Sequence, residues 1–300
     1  MPSDPGALRQ RFLARAALAG SAFSFGLMAV LARRLSQPDL GFRAGQLALL
    51  RFAVGIAASL AAFRLRPGLY QPRNYPMLIS RGITGGLVVI LYFFALARIP
   101  AGEAGVLYNL FPVIATLLSV GVFHERPTAH LLLAILAASA GVVLVLGQGH
   151  LAFGLGVGEL AALAAAFFAA TSAIAIRAAR PHTNSLTIFF FFSLVGLPVV
   201  APFAFGPWPH GARAWLLGLL MSLMALAAQV LMAEAYGTLS IAESAVWLQL
   251  TPIANYLLAL PLLGERVRLP ALSGVLLTVA GVAYATVRGA RASEGHGALK

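Results

Sequence analysis

The sequence contains no cysteine. Disulfide bonds, zinc sites with thiolate ligands, iron–sulfur clusters and catalytic thiols are therefore excluded. Charge is scarce too, because 10% of the 300 residues are charged, against about 25% in an ordinary soluble domain. With 60% hydrophobic residues, the chain cannot cover a globule with polar surface, so most of its surroundings must be lipid.

Histidine and carboxylate groups are missing from the centres of the apolar segments. All six histidines fall at segment ends or in loops, so none is placed to ligate haem or an intramembrane metal. We therefore expect no cofactor and no metal site. The acidic residues in the apolar segments also lie near segment ends: Glu103, Glu159, Glu234 and Glu243. Proton antiport through a mid-membrane acid is thus not supported, and facilitated diffusion is the simpler hypothesis.

The formal net charge of +12 would suit a nucleic-acid-binding protein. The positions of the arginines argue against that function, because most of them flank apolar runs, as in proteins whose cations face lipid headgroups. We therefore expect a lipid bilayer as partner and no nucleic acid. The flanking arginines are Arg9, Arg11, Arg15, Arg64, Arg66, Arg73, Arg177, Arg180, Arg288 and Arg291.

Ten apolar runs are long enough to cross a bilayer, since a helix needs about 20 apolar residues to span about 30 Å of hydrocarbon. The sequence thus predicts an all-α membrane protein with ten transmembrane helices. The first run lacks a convincing cleavage site and is interpreted as an uncleaved span rather than a signal peptide. The predicted spans are 12–32, 44–63, 77–97, 102–123, 129–147, 157–177, 185–205, 213–235, 242–263 and 270–288.

The chain repeats itself. The stretch from Gly102 to Arg126 reappears without a gap from Ala242 to Arg266, with Glu, Leu, Pro, Glu and Arg at matching positions. Spans one to five form one copy (residues 1–150) and spans six to ten the other (residues 151–300). Because five is odd, the second copy enters the membrane from the opposite side. Two inverted repeats of this kind are typical of secondary transporters.

The distribution of basic residues predicts which side the termini occupy. With the N-terminus inside, roughly twelve Lys and Arg fall on the cytoplasmic side and roughly seven outside. Three arginines in the first outer loop, Arg33, Arg34 and Arg43, oppose the rule locally. We expect both termini to be cytoplasmic.

Two stretches resemble the conserved core of the EamA-type repeat, found in the drug/metabolite transporter superfamily. They are "YFFALARIPAGEAGVLYNLFPVIATLLSVGVFHERP" and "AYGTLSIAESAVWLQLTPIANYLLALPLLGERVRLPALSGVLLTVAGVAY". Within the family, the chain most resembles the aromatic amino-acid exporters of the YddG type. The resemblance implies ten helices, cytoplasmic termini, a bacterial inner membrane and a central substrate cavity. It does not fix the substrate, because the family moves amino acids, nucleotides, sugars and drugs.

The matching prolines Pro112 and Pro252 fall near the middle of spans four and nine. Each removes a backbone donor and is expected to kink its helix. One turn earlier lie Asn109 and Gln249, which the repeat also makes equivalent. Two amides beside two kinks are candidates for binding a polar ligand. The alternative is a structural role, in which the amides pair across helices for about 0.6–2 kcal/mol.

Other side chains within the spans are candidates for lining the same cavity. Next to the amides, Tyr108 and Trp247 would supply apolar area with a polar tip, although neighbouring helical residues point in different directions. The further candidates are Tyr92, Gln46 and Gln229, with Ser24 and Asn255.

Arg51 lies about seven residues inside span two, where a cation is costly and should face protein or water. It is a candidate anchor for a substrate carboxylate. The alternative is a structural cation satisfied by backbone carbonyls or by a glutamate such as Glu103. The EamA resemblance favours the structural role, because that family often has an arginine here whatever the substrate.

The function that these observations favour is a secondary carrier exporting small amphipathic metabolites, amino acids above all, and we expect it to act as a monomer. An intramembrane enzyme would need a nucleophile and a base within the spans, and the spans lack His, Asp and paired carboxylates. A drug-cation or nucleotide-sugar carrier, or a lipid flippase, remains the alternative within the superfamily. Phosphate-bearing substrates call for several cations, and the interiors of the spans supply only Arg51 and Arg81.

Overall fold

The structure is a computed structural model that describes residues 5–96, 98–99, 101–146, 156–264 and 266–297. Regular structure in these ranges is helical, and ten segments are long and apolar enough to cross a membrane, so the predicted fold class is confirmed. The α-helices are α1 (Pro5–Leu35), α2 (Ala44–Leu65), α3 (Tyr75–Leu96), α4 (Ala101–Tyr108), α5 (Phe111–Phe123), α6 (Ala129–Leu146), α7 (Val157–Ala179), α8 (Ser185–Val200), α9 (Ala212–Tyr236), α10 (Ile241–Leu248), α11 (Leu250–Leu263) and α12 (Leu269–Gly297).

Most predicted spans agree with the helices to within a few residues, with larger differences at the two ends of the chain, where α1 begins earlier and α12 continues to Gly297 rather than to residue 288. Helix α1 begins at Pro5 rather than at residue 12. Hydropathy leaves residues 5–11 out of the predicted span because they include arginines. The helix nonetheless includes them, and Arg11 and Arg15 both form ion pairs with Glu243. Charged residues therefore extend the helix at the membrane surface.

Helix packing follows an inverted repeat. Spans four and nine each consist of two helices, α4 with α5 and α10 with α11. Helix α1 packs on α9, and the equivalent helices α7 and α3 pack on each other. Helix α6 packs on its own counterpart, α12. Each pairing thus reappears when the halves are exchanged, as a twofold axis in the membrane plane requires.

The contact between α6 and α12 shows this symmetry residue by residue. A Cβ added to Gly141 would lie 2.6 Å from the carbonyl oxygen of Gly274. A Cβ added to Gly281 would lie 3.1 Å from the carbonyl oxygen of Ala134. In the sequence repeat, Gly281 corresponds to Gly141 and Gly274 to Ala134. Small residues at both crossings allow the backbones to approach closely, which stabilises helix pairs in lipid.

We define the terminal face as the side of the membrane at which α1 begins and α12 ends, and the far face as the opposite side. Spans four and nine contact each other through α5 and α10, the halves nearer the terminal face. Nearer the far face, α4 packs on α7 and α11 packs on α1. The two broken spans therefore converge toward the terminal face and take different neighbours toward the far face.

Ion pairs join the two halves at the terminal face. Glu243 at the start of α10 binds Arg11 at 3.0 Å and Arg15 at 2.7 Å. Glu125, after α5, lies 3.8 Å from Arg177 of α7 and accepts a hydrogen bond from the backbone N–H of Ile241. Within the described ranges, these are the ion pairs that connect one repeat to the other. They connect the two halves at this face.

The glycine crossing gives a test of the fold. Gly141→Ala places a methyl group against α12 and should destabilise the protein by about 1–3 kcal/mol, since overpacking forces the backbones apart. Thermal unfolding of the purified protein in detergent measures this change. Gly121→Ala is the matched control, because a Cβ on this helical glycine meets no described atom within 4 Å. An equal melting temperature for both variants would contradict the close crossing.

Candidate functional site

The candidate site begins where spans four and nine are interrupted. Helix α4 ends at Tyr108 and α5 begins at Phe111, while α10 ends at Leu248 and α11 begins at Leu250. The prolines explain both interruptions. Pro112 and Pro252 have no N–H to donate, so the carbonyl oxygens four residues earlier, on Tyr108 and Leu248, lose their helical donors. Free backbone acceptors within a membrane are tolerated where they meet protein or line a cavity.

The two amides at the breaks are used differently. The side-chain amide of Asn109 donates to the carbonyl of Gly105 at 2.8 Å, within its own helix. The amide of Gln249 donates across helices to the hydroxyl of Ser139 at 2.7 Å. The position equivalent to Ser139 in the other repeat is Val279, which cannot accept a hydrogen bond. The symmetry of the sequence is therefore broken at the site.

The end of α10 carries unsatisfied polar atoms. The indole N–H of Trp247 and the side-chain oxygen Oε1 of Gln249 are buried and have no hydrogen-bond partner among the described residues. Buried polar groups are normally paired, so a free donor and a free acceptor two residues apart are suited to a polar ligand. Both residues were expected in the site.

Aromatic rings lie beside the break in span four. The ring of Tyr108 lies 5.0 Å from that of Tyr92 and 5.6 Å from that of Phe111, measured between centroids. Tyr108 is also within electrostatic range of Arg51 and Arg81. The break in span four, the expected tyrosines and the intramembrane arginines thus belong to one region.

Arg51 is half-buried and has weak partners for a cation within a span. Its Nη1 lies 3.8 Å from the sulfur of Met28, and its Nε has no partner among the described atoms. Its guanidinium carbon lies 5.3 Å from the centroid of the Phe52 ring and 5.6 Å from that of Phe192. The side chain of Glu103, the alternative counter-ion, lies outside the described residues.

Arg81 is the residue that sequence reasoning noted but gave no role. Its Nη1 donates to the hydroxyl of Ser172 at 2.6 Å, and its Nη2 donates to the side-chain oxygen of Gln229 at 2.8 Å. Its guanidinium carbon lies 3.9 Å from the centroid of the Phe192 ring, so both arginines approach the same ring. The sequence did contain a signal for such a role, because Arg81 is a single cation inside the apolar run of span three.

The two arginines lie within the membrane-spanning part of their helices and have no acidic partner among the described side chains. Arg51 is the eighth residue of α2 and Arg81 the seventh of α3, which places each about 10 Å inside its span. A cation at the centre of a membrane helix costs about 2.5–3.5 kcal/mol on insertion scales. Because both guanidinium groups approach the Phe192 ring, two positive charges lie close together in the site.

Two of the expected lining residues have structural partners instead. The side-chain oxygen of Gln46 accepts from the N–H of Arg43, and its amide donates to the carbonyls of Gly206 and Pro207. It thus ties the start of α2 to the α8–α9 loop at the far face, contrary to the cavity position we expected. Gln229, in turn, orients Arg81. The residue type alone did not show whether a glutamine would cap a helix, as Gln46 does, or line a binding site.

The comparisons with known proteins agree with this architecture. The model of the EamA-like transporter family matches residues 13–147 and again 156–287. The chain belongs to the EamA-like transporter family. Its two matches coincide with the two five-span halves, so the inverted repeat observed in the packing is a property of the family domain.

Two groups of relatives are similar to this EamA-like chain. The pseudopaline exporter CntI from each of two strains of Pseudomonas aeruginosa is 26% identical over 219 residues, which cover 72% of this chain and 75% of the relative. A solved crystal structure covers 89% of this chain and 98% of its own, with 23% identity and a TM-score of 0.74. The similarity to the CntI exporters supports a small-molecule exporter, and the similarity to the solved structure shows the fold.

Gly85 gives a test of the site in which no polar residue is substituted. A Cβ on Gly85 would collide with Nη1 of Arg81 and with the ring of Phe192. Gly85→Ala should therefore push against both the Phe192 ring and the guanidinium, and it should turn the guanidinium away from Ser172, because the end of an arginine side chain moves more easily than a packed ring. Cross-linking or a crystal structure of the variant should show an intact bundle with Arg81 displaced. An unchanged Arg81–Ser172 distance would contradict the crowding described here.

Proposed function

We propose that this EamA-like transporter exports small amphipathic metabolites, most simply aromatic and other neutral amino acids, across a bacterial inner membrane, with both termini in the cytoplasm. The observation that carries the proposal is the interruption of spans four and nine, which places an aromatic wall and free polar atoms deep in the membrane. Aromatic and aliphatic walls bind a side chain, while a few polar groups fix its charged ends. Export by the CntI relatives supports the outward direction.

The mechanism is alternating access between two inverted halves. In the described conformation, α5 meets α10 and the ion pairs of Glu243 and Glu125 close the terminal face. With cytoplasmic termini, this is the state facing outward, from which substrate leaves. The opposite state requires those ion pairs to open and the far-face halves α4 and α11 to approach. Inverted repeats make the two states similar in energy, because each half adopts the conformation of the other.

Transport without a coupling proton is the simpler form of this mechanism. The described carboxylates near the membrane lie at span ends, as Glu159, Glu234 and Glu243 do. Proton exchange through the membrane centre uses a central acid. Metabolite flux should therefore follow the substrate gradient, as in a uniporter.

The first experiment is exchange in proteoliposomes containing the purified protein. Labelled phenylalanine, tryptophan, leucine and threonine are offered outside with unlabelled substrate inside. Uptake of several of these, unchanged by a proton ionophore, is the expected result. Strict dependence on the pH gradient would contradict uniport. Failure of every amino acid to exchange, in a protein that remains folded, would overturn the proposed substrate class.

The amides at the breaks give a residue-level test. Gln249→Leu removes the acceptor beside Trp247 and should raise the apparent KM for exchange about tenfold, the effect of one hydrogen bond to a polar substrate. Asn109→Leu should have a smaller effect, because its amide already binds Gly105. Gln37→Leu, an exposed amide in the α1–α2 loop, is the control. Equal KM values for all three variants would assign both amides to helix packing.

The terminal face gives a test of the conformational cycle. Glu243→Gln removes the charge that binds both Arg11 and Arg15, and it should shift the population toward the state open at the terminal face. Cysteines introduced on α5 and α10 should then react faster with a maleimide reagent than in the parent background, which contains no cysteine. Asp39→Gln, which removes the ion pair with Arg34 inside one half at the far face, is the control. Unchanged reactivity would show that these ion pairs do not close the bundle.

A further inference from the structure

We infer that Arg51 and Arg81 form an anion site, and that the substrate therefore carries a carboxylate or another organic acid group beside its apolar part. The inference rests on the proposed function, which it narrows to molecules with an acidic group. The sequence does not reveal that the two arginines act together, because they lie on different helices, α2 and α3. The fold brings both to the ring of Phe192.

The partners of the two arginines show what is missing from the site. Arg81 binds Ser172 and the oxygen of Gln229, both of them neutral. Arg51 has only the sulfur of Met28 near one of its nitrogens. The Nε atoms of both arginines are buried without a partner among the described residues. Two cations inside the helix bundle whose partners are neutral attract a negatively charged ligand.

The donor geometry distinguishes the roles of the two arginines. Both outer nitrogens of Arg81 are engaged, so its side chain is fixed and supplies positive potential. Arg51 keeps most of its donors free, and a free guanidinium edge matches one carboxylate with two parallel hydrogen bonds. A site with one free edge therefore favours a planar carboxylate, whose two oxygens match the two parallel donors, over a tetrahedral phosphate group. The same positive potential disfavours the drug-cation alternative.

The surroundings of the pair define the rest of the ligand. Phe192 packs edge-on against Phe52 at 4.9 Å between centroids, and Tyr108 lies within electrostatic range of both arginines. An aromatic or aliphatic group attached to the acid would thus lie against rings. A free amino group, by contrast, has no described carboxylate beside the arginines. We therefore expect that an acidic group is required for binding and an amino group is not.

Calorimetric titration of the purified protein in detergent tests this directly with three probes that share a phenyl ring. Phenylsuccinate carries two carboxylates, phenyl phosphate carries a phosphate and 2-phenylethylamine carries an ammonium group. Phenylsuccinate should bind at least about tenfold more tightly than 2-phenylethylamine, the difference expected for one charge-assisted hydrogen-bonded pair. Equal or tighter binding of the amine would overturn the anion site. Tighter binding of phenyl phosphate would overturn the choice of carboxylate.

The decisive variant is Gln229→Glu, which keeps the shape of the side chain and places an internal carboxylate next to Arg81. It should raise the melting temperature, because it neutralises a buried charge, and it should weaken phenylsuccinate binding about tenfold or more. A purely structural role for Arg81 predicts the same gain in stability with no loss of binding, which would overturn the proposal. Arg51→Gln should also weaken binding, with folding checked by the same melting curve.

Arg98→Gln is the matched control, because Arg98 also stacks on a phenyl ring, that of Phe94, but is exposed. Its phenylsuccinate affinity should equal that of the parent protein. The outcomes separate this inference from the proposed function. Amino-acid exchange with unchanged affinities in Gln229→Glu and Arg51→Gln would refute the anion site alone. Arginine-dependent binding of phenylsuccinate without amino-acid exchange would refute the amino-acid substrate alone.

Discussion

The cost of leaving polar groups unpaired in lipid governs this structure. Helices satisfy their own backbones, which is why the described chain is helical. At spans four and nine, Pro112 and Pro252 prevent two backbone hydrogen bonds and leave acceptors deep in the membrane. Trp247 and Gln249 carry free polar atoms at the second break, and Arg51 and Arg81 each have a buried Nε without a partner among the described residues. Several of the unpaired polar atoms thus lie at a break or on the two arginines, while the contact between α2 and α8 buries large apolar rings such as Phe52 and Phe192.

The twofold relation of the repeats explains the fold, and the departures from it explain the site. At the α6–α12 crossing the two copies are interchangeable, because Gly141 and Gly281 meet equivalent partners. At the breaks they are not, since Ser139 pairs with Gln249 and Val279 stands at the equivalent position. Arg51 and Arg81 are a second departure, because both lie in the first repeat. The scaffold is thus symmetric where helices pack, and asymmetric at the breaks and at the arginines.

The family relationship and the side-chain geometry answer different questions. Membership of the EamA-like family establishes a multi-pass transporter built from two repeats. The family name does not determine what the cavity binds, because that depends on a few side chains rather than on the scaffold. The two arginines beside Phe192 are such side chains. They suggest a substrate class from this chain's own geometry, separately from the metabolite named for the CntI relatives.

The sequence by itself determined the span count, the helical class and the inverted repeat, because length, hydropathy and the repeated proline pattern are local properties. It also placed Trp247, Gln249 and Tyr108 at the breaks, since each lies three to five residues before a proline. Tertiary structure alone decided that Gln46 caps a helix at the far face, that Gln229 holds Arg81, and that Arg81 shares one aromatic ring with Arg51. These relations join residues on different helices, and neither spacing nor composition specifies which faces of ten apolar helices will meet.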